Sequence, residues 1–88
     1  MNIFETVREQ YSQESQEDWL EIKKYITSDP STMDGLPVFS GTRIPVYIVL
    51  DYFAEGMRVD DILKDYPSLD KNKIRAALKF ANLLSSLH

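Results

Sequence analysis

The stretch PVYIVLDYFAEGMRVDDILKDYPSLDKNKIRAALKFA, residues 45–81, decides the fold, because its apolar residues recur at helical spacing and its punctuation divides it into three helices. Proline suits a first helical position and glycine the residue after a helix end, so Pro45 and Gly56 delimit a predicted helix over 45–55. A shorter helix is predicted over 59–66, since Pro67 stops it. Asp70, as N-cap, begins a third helix that runs to residue 85.

A short helix, a tight turn and a longer helix form the pattern of a helix-turn-helix. On the third helix, an apolar set at i, i+3, i+4 and i+7 predicts the face turned to the core: Ile74, Ala77, Leu78 and Ala81. Arg and Asn read guanine and adenine edges, a small Ala permits close approach, and Lys reaches phosphate. We therefore expect DNA contacts from the other side of the helix: Lys71, Asn72, Lys73, Arg75, Ala76 and Lys79. An ordinary solvated helix surface is the equally weighted alternative.

Upstream of Pro45 the chain is a turn-rich β arm, residues 26–46, because proline and glycine fall there at short intervals. The candidate strand pieces are residues 37–39 and 43–44. Residues 40–42 between them form a predicted turn with Gly41 at positive φ. Residues 25–27 fit either the end of a preceding helix or a short strand.

Residues 1–25 form a predicted acidic, helical N-terminal extension. Apolar residues recur at helical spacing in two segments, Ile3, Phe4, Val7 and Tyr11 in the extension and then Trp19, Leu20 and Ile22, continued by Ile26 just after it. Residues 1–36 hold three basic and eight acidic residues, whereas residues 37–88 hold seven basic and six acidic ones. This asymmetry indicates that the two ends meet different partners, unless the acidic helix serves only solubility.

Catalysis and metal binding are poorly supported by the composition. The chain has no cysteine, and its single histidine is the last residue, His88. Consecutive acidic residues at the start of a helix are explained by the helix dipole rather than by a metal site. No apolar run approaches the roughly 20 residues that cross a bilayer. We expect a cytoplasmic protein that is not an enzyme and has no cofactor, metal, membrane contact or small-molecule substrate.

The end of the third helix is apolar nearly all round, because Phe80, Leu83 and Leu87 lie away from the predicted core face. Apolar surface on two sides needs two partners. The second partner is either the N-terminal helix folding back or another subunit, and we favour the subunit. This predicts a homodimer through those three residues.

The stretch 26–84 resembles the family called domain of unknown function 433, regarded as VapB-type antitoxins. The resemblance rests on ITSDP (26–30), GLPVFSGTRIPV (35–46), Gly56 to Asp61, Ile62-Leu63, Tyr66-Pro67, Ile74 and Ala77. It implies a mainly α fold, a homeodomain-like three-helix helix-turn-helix domain over 26–88 that includes the β arm. It also implies a PIN-like ribonuclease toxin as partner. The extension 1–25 is longer than the usual lead-in of this family.

Gly41, Thr42 and Arg43 form the centre of the family signature. In the architectural alternative, Gly41 serves the turn, Thr42 makes a local hydrogen bond, and Arg43 pairs with a carboxylate or a helix end. In the functional alternative, Arg43 contacts phosphate or the toxin's acidic site. Two functions remain open for the whole chain. One is an antitoxin that neutralises the toxin and also represses its own operon by binding operator DNA, and the other is a protein-interaction or dimerisation module without DNA binding.

Overall fold

The computed structural model describes residues 16–86 and is mainly helical, with four α-helices and one small antiparallel sheet. The helices are α1 (Gln16–Tyr25), α2 (Tyr47–Ala54), α3 (Val59–Asp65) and α4 (Lys71–Ser85). The strands are β1 (Ile26–Thr27) and β2 (Val38–Phe39), and a short 3-10 helix, Met33–Gly35, lies between them. The predicted helical segment around Ile3 to Tyr11 falls outside the described residues.

The three helices predicted after the β arm are confirmed, with ends within two residues of the expected ones. Gly56 follows α2 with φ 78°, the left-handed conformation that a helix end requires. The carboxylate of Asp61 accepts a hydrogen bond from the Arg58 backbone N–H (2.8 Å) at the start of α3. At the start of α4 the bond runs the other way along the chain, because the N-cap Asp70 accepts from the Lys73 N–H at 2.8 Å.

The β arm pairs differently from the prediction. β2 lies antiparallel to β1, with Ile26 opposite Phe39, so the strand alternative for residues 25–27 is confirmed for 26–27. Residues 43–44 form no strand, and that prediction is wrong. The turn at Gly41 (φ 77°) brings them back, but Pro45 has no N–H to extend a ladder, and only the isolated bridge Val38↔Pro45 follows.

One hydrophobic core joins α1, the sheet and the three later helices. Its largest fully buried side chains come from all of these elements: Phe39, Phe80, Ile22, Ile26, Ile62 and Val49. Trp19 of α1 belongs to the same cluster. The acidic helix is therefore part of the packed core in its described portion, residues 16–25.

The face that α4 turns inward is wider than predicted and includes a second stripe. Ile74 and Ala77 are buried as expected, whereas Leu78 is 45% exposed and its predicted burial is wrong. The second stripe, Ala76, Phe80 and Leu83, is buried at the spacing i, i+4, i+7. These residues are buried because α1 packs along α4 and covers them.

This packing corrects the expectation that Phe80 and Leu83 form an apolar surplus free for a second subunit. Both side chains lie in the core of a single chain, 2% and 5% exposed. The N-terminal segment thus covers that side of α4, the alternative that the sequence left open. Leu87 lies outside the described residues.

Candidate binding surfaces

Ion pairs fix α1 against the face of α4 that the sequence assigned to DNA. Lys79 Nζ lies 2.6 Å from Asp18 Oδ1 and 3.0 Å from Glu21 Oε2. Arg75 Nε lies 3.2 Å from Glu21 Oε1. Asp18 and Glu21 are one helical turn apart on α1, so both carboxylates face the basic side of α4. Two of the four basic residues on this side, Arg75 and Lys79, are thereby paired with carboxylates of α1.

The pKa of Lys79 reflects this environment. The hydrogen bond to Asp18, and then the one to Glu21, raises the pKa of the Lys79 ammonium above its usual value, and partial burial opposes them weakly. The side chain is 25% exposed. Lys79 therefore stays charged but already has two partners.

Of the other residues predicted to contact DNA, some are exposed in the structure and some are partly or fully buried. Lys71, Asn72 and Arg75 are exposed on the first turns of α4. Lys73 is half-buried, and its Nζ donates to the Ser68 carbonyl at 2.9 Å. Ala76 is fully buried, so its predicted exposure at a DNA-reading face is wrong. It belongs to the same hydrophobic core as Trp19 and Ile22 of α1. DNA binding by the remaining residues stays a prediction.

The signature loop has an architectural component at Gly41 and Thr42. Gly41 has φ 77° with open space around the position of a Cβ, so backbone conformation, not crowding, calls for glycine. Thr42 Oγ1 donates to the Phe39 carbonyl (2.8 Å) and accepts from the Ile44 N–H (3.0 Å). The hydroxyl thereby closes the turn, as the architectural interpretation predicts.

Arg43 in the same loop is exposed to solvent. Among residues 16–86, no carboxylate lies within 4.0 Å of its guanidinium, so the expected architectural ion pair is absent there. Arg43 lines an open cleft of about 440 Å³ together with Asp29 and Thr32. The backbone N–H and then the hydroxyl of Ser31 donate to Asp29 and lower the pKa of its carboxyl, which keeps the cleft charged with both signs.

A second surface escaped the sequence analysis and is called here the Leu78 groove. It lies between α2, the start of α3 and α4 and has a volume of about 680 Å³. Its floor consists of Phe53, Met57, Val59, Ile74 and Leu78, and its rim of Arg58, Asp60, Lys71 and Arg75. The one sequence signal was Met57, a large apolar residue directly after Gly56, where a polar loop residue is usual.

The described helices give no sign of a membrane span or metal centre. None of the helices within residues 16–86 is long and apolar enough to cross a bilayer. In the same range, no three His, Asp or Glu side chains converge as metal ligands would.

Comparison with known proteins gives one family and one relative. The family DUF433, described as a protein of unknown function, matches residues 26–81. The chain is 42% identical over 65 residues to the uncharacterized protein y4eO of Sinorhizobium fredii. That alignment covers 74% of this chain and 29% of the relative, so the chain spans less than a third of the relative's length. No solved structure matches the chain.

Proposed function

The chain belongs to the DUF433 family, which matches more than half of its length, and from this premise we propose that it is an antitoxin that neutralises a PIN-like ribonuclease toxin by direct binding. The proposal treats α2, α3 and α4 as the homeodomain-like unit of the family and the chain as a binding protein without catalytic activity. Its family part rests on the signature from Ile26 to Ala77.

The observation that favours protein binding is that α1 pairs with part of the basic side of α4. Affinity for nucleic acid depends on Lys and Arg side chains that are free to neutralise phosphates. Here Lys79 is held by Asp18 and Glu21, and Ala76 is buried in the core. The net charge of −4 adds a general repulsion from DNA. A protein partner requires neither a free basic face nor a positive net charge.

The test begins with a search for a small PIN-like reading frame beside the gene for this chain. Its product, purified as a ribonuclease, is titrated with this chain while RNA cleavage is measured. We expect inhibition that is complete near an equal molar ratio and a complex that elutes as one species. An unrelated ribonuclease, titrated in parallel, should remain active. Full cleavage in the presence of excess chain would overturn the proposal.

Operator binding is a second candidate function, supported by the residues that α1 leaves open. Lys71, Asn72 and Arg75 are exposed at the beginning of α4, which follows α3 after a short turn. In a helix-turn-helix, the first turns of the second helix contact base edges. A homodimer would then place two such helices about 34 Å apart, one turn of DNA.

A further inference from the structure

The floor of the Leu78 groove is apolar surface that the described chain leaves open to solvent. Met57 is 41% and Leu78 45% exposed. Both line the groove together with the half-buried Phe53 of α2 and Val59 of α3. Two large apolar side chains that share one concave surface indicate a contact site more strongly than isolated exposed residues do. The volume of about 680 Å³ accommodates several side chains of a partner.

The rim of the groove carries positive charge in an acidic protein. Arg58, Lys71 and Arg75 stand around it with a single carboxylate, Asp60. Arg58 and Lys71 are exposed and have no carboxylate within 4.0 Å among residues 16–86. Arg75 touches Glu21 through Nε, yet 65% of its side chain is exposed. The groove therefore complements a ligand with apolar side chains flanked by carboxylates.

The contact between α1 and α4 shows how α4 binds an acidic amphipathic helix. On α1, Trp19 and Ile22 enter the core while Asp18 and Glu21 pair with Lys79 and Arg75. An acidic amphipathic helix is thus seated on one side of α4. The Leu78 groove offers the same combination of apolar floor and basic rim on the adjoining side, which remains open.

We propose that the Leu78 groove binds an acidic amphipathic helix of the toxin. An apolar side chain of that helix packs between Met57 and Leu78, and its carboxylates face Arg58 and Lys71. This mode is the docking of a helix into a groove, in which apolar anchors contribute most of the affinity and charges set the orientation. The inference rests on the proposed function, because it names the surface that the antitoxin uses.

The experiment compares two substitutions of exposed leucines by glutamate. Leu78→Glu puts a charge into the groove, whereas Leu20→Glu changes a leucine of α1 that is 64% exposed and lies outside it. Thermal unfolding should be similar for both variants, since neither side chain is buried. Toxin affinity, measured by calorimetric titration, should fall at least about tenfold for Leu78→Glu and remain unchanged for Leu20→Glu. Lys71→Glu should weaken binding in low salt more than in high salt.

The outcomes separate this inference from the function on which it rests. If the unmodified chain does not bind the toxin, the proposed function fails. If it binds, and Leu78→Glu binds equally well, the groove is not the toxin site although the function stands. If Leu78→Glu leaves toxin affinity intact but changes the sedimentation of the chain alone, the groove joins two copies of the chain and the inference is overturned.

Discussion

Lys79 Nζ lies 2.6 Å from Asp18 Oδ1, an ion pair that joins residues 61 positions apart. Asp18 belongs to a helix that precedes the family-matched residues 26–81, whereas Lys79 lies within them. The contact therefore connects an addition to the family domain with the helix that the domain would offer to DNA. Together with the apolar contacts of Trp19 and Ile22, it makes α1 a fixed element of the fold.

Reversing the charge of Lys79 should destabilise the protein. Lys79→Glu places a third carboxylate beside Asp18 and Glu21, so we expect a lower midpoint of urea unfolding. Adding Asp18→Lys should restore part of the loss, because an opposite-charge pair forms again. Lys64→Glu, at an exposed position of α3, is the matched control. Equal midpoints for Lys79→Glu and Lys64→Glu would show that the pair makes no contribution to stability.

The buried stripe of α4 predicts opposite results for two neighbouring apolar residues. Phe80→Ala should lower the free energy of unfolding by about 3–5 kcal/mol, because it empties a packed site beside α1. Leu78→Ala should cost clearly less, about 1 kcal/mol or below, since 45% of that residue is exposed. Denaturant unfolding of both variants measures the difference. The reverse order would mean that α4 has the orientation first predicted from its sequence.

The bounds of the helices could be predicted from local sequence signals, whereas the side of α4 that is buried could not. Gly56, Pro67 and Asp70 act through their own backbone or cap, so the sequence nearby suffices to place them. A helical wheel for α4 shows apolar residues on two sides and does not tell which side a distant segment covers. The side that is buried depends on α1, whose carboxylates form ion pairs with Lys79 and Arg75.

The candidate site was predictable to a similar extent. The positive φ of Gly41 and the local bonding of Thr42 are properties of one turn and are confirmed. Ala76 was ambiguous, because a small residue permits close approach equally to DNA or to a packed helix. The Leu78 groove arises where α2, α3 and α4 meet, and no single segment contains its pattern.

The signature loop should separate into a structural and a binding residue. Thr42→Val removes two hydrogen bonds and leaves the Ile44 N–H without its acceptor, so we expect a loss of about 1–2 kcal/mol in unfolding free energy. Thr42→Ser keeps the hydroxyl and should lose less. Arg43→Ala should leave stability unchanged and weaken toxin binding. A stable Thr42→Val, or an Arg43→Ala with full toxin affinity, would contradict the respective role.

Tyr52 should be a late-titrating tyrosine. Its hydroxyl donates to Asp65 Oδ2 at 2.6 Å, and this bond is the main cause that raises the pKa of Tyr52 from 10.0 to about 12. Because the folded state favours the protonated phenol, the resulting stability is fully present below the unfolded pKa of 10.0 and is lost as pH rises through about 12. Alkaline titration followed by tyrosinate absorbance should show this step. The step near pH 12 should disappear in Tyr52→Phe. If Tyr52→Phe titrated identically to the unmodified protein, the assignment to Tyr52 would be contradicted.

The salt dependence of operator binding should distinguish Lys71 from Lys79. Each phosphate contact contributes about −0.9 to the slope of log affinity against log salt concentration. If the chain binds operator DNA with α1 in place, Lys71 is exposed and able to contact phosphate, whereas Lys79 is occupied by Asp18 and Glu21. Lys71→Ala should then flatten the slope by about one unit, and Lys79→Ala should leave it nearly unchanged.

Arg75→Ala reports base reading instead, because losing a guanine contact costs about 1–3 kcal/mol on the operator and little on random DNA. Titration of promoter and random DNA at several salt concentrations measures all three variants. A flatter slope for Lys79→Ala would mean that α1 leaves α4 when DNA binds, and equal affinity of the unmodified chain for both DNAs, with and without toxin, would leave protein binding as its function.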